Sequence, residues 1–118
     1  GHGTYPDGVS LDERGGLWIT SVVSNRVIRV GPDSSQHVVL EDSDPAHVAW
    51  VEQAWMAGKL GREHLDTVKS RALGNLSSLA FAGADRRTAV LGSLQWQRLA
   101  TFRSPVPGVA PSHWEWGA

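Results

Sequence analysis

The sequence holds one structural unit written twice, and no other feature restricts its folding choices as much, because one local geometry must serve both copies. The first copy runs from Gly8 to Val30 and the second from Ser78 to Phe102. In each, a short apolar strand (Val9–Leu11; Leu79–Phe81) meets a polar turn built on Gly15 and Gly16, or on Gly83 with Asp85. A second apolar strand follows (Leu17–Thr20; Ala89–Leu91), then a polar loop ending at Ser24 and Asn25 or at Gln95 to Gln97. An arginine-led strand closes the unit (Arg26–Val30; Arg98–Phe102). The glycines supply the positive φ that tight turns need, and the strands carry residues that suit a pleated surface. Each copy therefore predicts a small antiparallel meander. Two meanders can be successive propeller blades or the halves of a β-sandwich, and repetition alone leaves both open.

Between the copies the apolar period lengthens to about 3.6. Asp44 is a suitable N-cap, Pro45 fits the first helical position, and Ala46–Ala57 meets no breaker before Gly58. A helix of about three turns is predicted here, with Val48, Val51 and Trp55 on the side facing the protein body and Trp50, Ala54 and Ala57 beside them. A second short helix is expected around Glu63–Lys69. Residues 43–72 are thus an insertion between the two meanders. After Ser104, three prolines (Pro105, Pro107, Pro111) disfavour regular pairing until His113–Trp116, where Trp114 and Trp116 alternate as in a half-buried edge strand.

Composition excludes several classes. Hydrophobic residues at 41%, charged residues at 19% and a net charge of -1 describe a chain able to bury a core. There is no cysteine, so any metal must use oxygen or imidazole. No apolar run reaches the roughly 20 residues of a membrane span, and no secretion signal is evident, so a cytoplasmic location with no membrane partner is expected. The chain starts at Gly1 without a methionine, as a processed or partial chain would. Residues 1–58 hold eight acids and three bases, and residues 59–103 hold eight bases and three acids. The bases are scattered and lack any nucleic-acid-binding signature, so no nucleic-acid partner is expected.

The run Tyr5-Pro6-Asp7-Gly8-Val9-Ser10-Leu11-Asp12, then Gly16-Leu17-Trp18-Ile19-Thr20 and Arg26–Val30, resembles the gluconolactonase, senescence marker protein and luciferin-regenerating enzyme family. The second copy, from Ser77 through Gly83 to Thr88 and Leu91, looks like the next blade of that family, and some of its bacterial members carry a helical insertion. The resemblance implies a mostly β fold: two antiparallel β-propeller blades, residues 6–40 and 76–116, with the helical insertion between them, together the C-terminal part of a six-bladed ring. It implies one partial-propeller domain over residues 1–118 and metal-dependent sugar-lactone hydrolysis, with the isolated chain inactive. A non-catalytic ligand-binding or interaction module is the alternative.

In that family a divalent cation sits at the channel mouth, calcium first, with zinc, magnesium or manganese as alternatives. The family's aspartate, both metal ligand and presumed base, maps onto Asp7. Its other ligands come from blades to which no part of this sequence corresponds, so the site is incomplete. Aligning the two copies sets Ser77 opposite Asp7 and Asn75 opposite Tyr5, and these two, with Asn25 in the loop before the third strand, are the substrate-contact candidates. Without the resemblance, an aspartate before glycine reads as a turn residue, and Ser77 and Asn25 as turn or capping positions. The five histidines have no metal-site spacing, and no serine lies in a nucleophile elbow. Trp96 is a loop candidate for stacking on a sugar. Two blades cannot close a ring, so the expected partners are the missing blades of a parent chain or further copies of this one, of which three restore a six-blade count, together with a small sugar lactone as ligand.

Overall fold

The computed structural model describes residues 2–116. Strands rich in β-branched and aromatic residues, β1 (Tyr5–Leu11), β2 (Leu17–Val22), β3 (Arg26–Val30) and β4 (Gln36–Glu41), form one antiparallel meander, ordered β1-β2-β3-β4. Its first turn is closed by the Gly15 amide donating to the Asp12 carbonyl at 3.1 Å, with Gly15 at φ +77°. Its second turn forces Val23 (φ 67°) and Asn25 (φ 48°) into the left-handed region, where asparagine is far better tolerated than a β-branched residue. The second copy forms β5 (Leu76–Ala82), β6 (Thr88–Ser93) and β7 (Ala100–Arg103) in the order β5-β6-β7. The chain is mostly β, in two antiparallel sheets with few helices.

The repeat is carried by the ladder as well as by residue type. Pro6↔Ser21, Gly8↔Thr20, Val9↔Ile19, Ser10↔Trp18 and Leu11↔Leu17 recur as Leu76↔Ser93, Ser78↔Gly92, Leu79↔Leu91, Ala80↔Val90 and Phe81↔Ala89. Each first-strand residue returns 70 positions on and each second-strand residue 72 positions on. Both ladders slip at the same point, which leaves Asp7 as the extra residue in β1 and Ser77 as the extra residue in β5.

The two sheets pack through a shared core of Trp18, Val27, Leu73, Leu76, Leu79, Ala89 and Leu91. Trp18 is fully buried and meets Phe81 edge to face, at 5.6 Å and 85° between ring planes. At the seam β1 comes so close to β5 that any side chain at Gly8 would strike the Ser77 carbonyl. The Ser10 hydroxyl, one step further along, donates to the Leu79 carbonyl.

Three expectations need correction. The second sheet has three strands among the described residues, not four, and β7 begins at Ala100 instead of Arg98. The tail does not add an edge strand with a buried tryptophan face: Ser112–Glu115 is a 3-10 helix, and Trp114 and Trp116 are exposed. Its prolines lack amide donors, and the hydrogen bonds that remain tie both sheets' first turns together instead. Val109 donates to the Leu11 carbonyl, Gly108 to Arg86, and Pro107 accepts from the Glu13 amide. Residues 117 and 118, the end of the expected tail, lie outside the described residues.

The third correction concerns the insertion. α1 (Pro45–Met56) starts as expected, with Asp44 accepting from the His47 amide at 2.8 Å, and stops before Gly58 at φ +66°. It buries His47, Val48 and Val51 against Tyr5, Val22, Val23 and Leu65, but Trp55 is 61% exposed. The last turn extends past this contact, so the apolar side is narrower than its composition suggests. α2 (Arg62–Asp66) ends before Lys69, because Thr67 is already extended. Trp50 stacks on buried His64 with ring centroids 4.3 Å apart, and burial in the same cluster holds His47 below the usual histidine range. No helix is long and apolar enough to cross a membrane.

Candidate functional site

The Pro6-Asp7-Gly8 step has a physical explanation for each residue. Proline has no amide to donate to the ladder, so pairing loosens where β1 begins. The bulge pushes Asp7 out of register, and Gly8 lets β5 approach while its amide donates to the Thr20 hydroxyl at 3.1 Å. Asp7 is exposed as a result.

The acids around it are occupied. Asp12 is 1% exposed and accepts from the Arg14 and Gly16 amides at 2.9 Å, from the Trp18 indole at 2.8 Å and from Arg29 at 2.8 Å. Burial pushes its carboxyl up, but the bonds from Arg29, Gly16, Trp18 and Arg14 together hold it below the usual carboxylate range. Asp42 accepts from the amides of Arg71, Ala72 and Leu73, and fastens the end of the insertion to the first sheet. Glu52 accepts from the Tyr5 hydroxyl at 2.7 Å and from the Gly3 amide at 2.8 Å. Asp33, Glu41 and Asp44 accept from Ser35, from Arg26 and from the His47 amide, and Glu13 pairs with Arg86. Of the eight acids in residues 1–58, Asp7 alone has no hydrogen-bond partner among the described residues.

Ser77 occupies the matching bulge on β5, half-buried, with its hydroxyl donating to the Gly92 carbonyl at 3.3 Å. The seam therefore brings the Asp7 and Ser77 bulges together, since Gly8 touches the Ser77 backbone.

Asn25 and Asn75 do different work. Both are 2% exposed and left-handed. The Asn75 side-chain carbonyl accepts from the Val23 amide and that of Asn25 accepts from the Leu76 amide, each at 2.9 Å. Their side-chain amides donate to the Leu65 and Val23 carbonyls respectively. The pair is a reciprocal clasp between the β2–β3 turn and the start of β5, each side-chain oxygen accepting one backbone amide of the other segment. Trp96 is exposed in the β6–β7 loop beside Gln95, Gln97 and Arg98, against Gly74.

Sequence reasoning singled out Asp7 but overlooked Asp12 and Asp42, whose carboxylates organise two junctions. Asp12 had a readable signal: an aspartate four residues before glycine and six before tryptophan, the spacing that both bonds use.

Among the described residues, no group of three or more histidines, aspartates or glutamates is gathered around a common point. A calcium-type ion takes roughly six to eight oxygen ligands. Asp7 offers one carboxylate, and the asparagine oxygens are used by backbone. The described residues do not by themselves gather the ligand set of such an ion. No protein-family model, curated protein or solved structure matches the chain.

Proposed function

We propose that this chain contributes two blades and one carboxylate to a propeller-type sugar-lactone hydrolase of the gluconolactonase kind, whose site is completed by segments outside the chain. The observation that carries the reading is the state of Asp7: exposed, extruded by a bulge and unpartnered, while seven neighbouring acids are consumed by structure. An unpaired carboxylate held on a strand can accept a proton. As water attacks the lactone carbonyl, Asp7 takes the water's proton, the ring carbon–oxygen bond breaks, and the proton passes to the departing alkoxide. Ser77, at the matching bulge, would contact the substrate's hydroxyls. The divalent ion implied by the resemblance would have to be held mostly by other segments, and no step here is assigned to it.

The second reading, a binding module without catalysis, is favoured by the extent of apolar surface left open on the first sheet. Lactone hydrolysis separates the two. The isolated chain is expected to be inactive with or without chelator, and Asp7→Asn is expected to abolish turnover by the complete assembly without unfolding it. An active assembly indifferent to Asp7→Asn, or metal-independent turnover by the isolated chain, would sink the hydrolase reading.

A further inference from the structure

The two sheets do not offer each other the same face. Side chains alternate along a strand and align across a ladder, so Val9 and Leu11, Leu17 and Ile19, and Ile28 and Val30 share the outer face of the first sheet. Their register equivalents in the second sheet are Leu79 and Phe81, Ala89 and Leu91, and Ala100 and Phe102. Those six form the inner face, packed on Trp18 and Val27. The first sheet's outer face is therefore the open counterpart of a face that this fold buries.

It is apolar, buried at Ile28 (8% exposed) in the middle and open towards both edge strands. Val9, Ile19, Ile28 and Val38 lie in one row across all four strands, with Val9 63% and Val38 56% exposed. A shallow groove runs over the row, lined by Pro6, Ile19, Arg26, Ile28, Val30 and Val38. Contiguous apolar surface of this kind on a sheet marks an interface.

The complementary surface is present on the same molecule. In the internal contact the first sheet presents Gly8 and Ser10 on its first strand, small enough to let β5 close in. The register equivalents of Gly8, Ser10, Trp18 and Arg29 are Ser78, Ala80, Val90 and Thr101, on the outward face of the second sheet. Ser78, Ala80 and Thr101 are exposed, and Val90 is half-buried. An open face of each type, on opposite sides of one chain, is the condition for head-to-tail association.

We infer that a second copy of this chain docks the outward face of its β5–β7 sheet onto the outer face of the β1–β4 sheet, head to tail in the sense of the internal contact but at a wider spacing, because Ser78 carries a side chain where Gly8 has none. The inference needs no catalytic role for the chain and is tested without substrate. Light scattering across a concentration series should give masses at multiples of 12.8 kDa. Val38→Glu blocks one face and Thr101→Arg the other, so each variant alone should be monomeric while an equimolar mixture should form a dimer and nothing larger. Circular dichroism confirms that each is folded, and Val9→Lys with Ala80→Arg is the replacement pair if either is not. A wild-type chain that stays monomeric at every concentration overturns the inference and leaves the face to a sheet elsewhere in a longer chain. Association lost in Val38→Glu but kept in Thr101→Arg also overturns it, since that pattern means like faces pair.

Discussion

The two sheets share a register and a bulge position, with a first connection two residues longer in the second, yet they spend their charged residues in opposite ways. The first sheet buries Asp12 beneath its first turn with four donors on it, while the second places Asp85 at the corresponding end, about half exposed and paired with exposed Arg103. The first has a carboxylate at its bulge and the second a hydroxyl. Ladder geometry is thus fixed by turn residues and small residues at the seam, and the side chains that carry chemistry can differ between copies. A shared repeat shows which backbone positions correspond; it does not show which of them act.

Trp18 and Val90 occupy equivalent positions with opposite fates, and here the largest difference is expected. Trp18→Ala removes a fully buried ring that spans both sheets and leaves Asp12 one donor short. Its cost should be about 3–5 kcal/mol, whereas Val90→Ala, on the outward face of the second sheet, should cost under about 1 kcal/mol. Urea unfolding of the two variants measures both. Equal losses would mean that the sheets are not packed through the faces described.

The next contrast is Asp12 against Asp85. Asp12→Ala leaves the Trp18 indole, two amides and Arg29 without their acceptor, a change worth about 3 kcal/mol. Asp85→Ala breaks an exposed pair and should leave the urea midpoint unchanged. The pH dependence follows from the lowered Asp12 carboxyl. The unfolded chain then binds more protons than the folded one, so this stabilisation is complete above the ordinary aspartate value of 3.8 and is lost as pH falls through the lower folded value. Acid titration of stability should show that loss in wild type and a shallower one in Asp12→Asn.

Much of this was legible from residues alone. The repeat, the first sheet's strands, the Asp44 cap and the Gly58 stop follow from period and turn chemistry that act within a few residues. What sequence could not give depends on where distant segments land. Trp55 has the right spacing for a buried stripe, but α1 outruns the surface it packs on. Asn25 and Asn75 look like turn residues facing solvent, and become a clasp only because the β2–β3 turn meets the start of β5. The tail's prolines correctly discourage a strand, yet nothing local shows that it returns across two turns 70 residues apart.

Gly8 and its equivalent Ser78 test the seam. Gly8→Ala puts a methyl into the Ser77 carbonyl and within 2.8 Å of the Thr20 hydroxyl, so the sheets must separate, at about 1–3 kcal/mol. Ser78→Ala, on the exposed side of β5, removes one hydroxyl and should change stability by less than about 0.5 kcal/mol. If Gly8→Ala were equally mild, the approach of β1 to β5 would be looser than described.

The smallest effect is expected at the bulges themselves. Asp7 is exposed and has no hydrogen-bond partner among the described residues, so Asp7→Asn removes a charge without breaking a contact. Its unfolding free energy should stay within about 0.5 kcal/mol of wild type, as should that of Ser77→Ala, whose one bond to Gly92 is long at 3.3 Å. A structural aspartate behaves otherwise, as Asp12 should, and a surface aspartate with no role would be neutral for both stability and turnover. Only a residue kept for chemistry is neutral for stability and decisive for turnover. Asp7→Asn, measured for unfolding in this chain and for lactone hydrolysis in the complete assembly, therefore assigns the residue from two numbers. A destabilisation as large as that of Asp12→Ala would make Asp7 part of the scaffold and remove the one carboxylate on which the hydrolase reading rests.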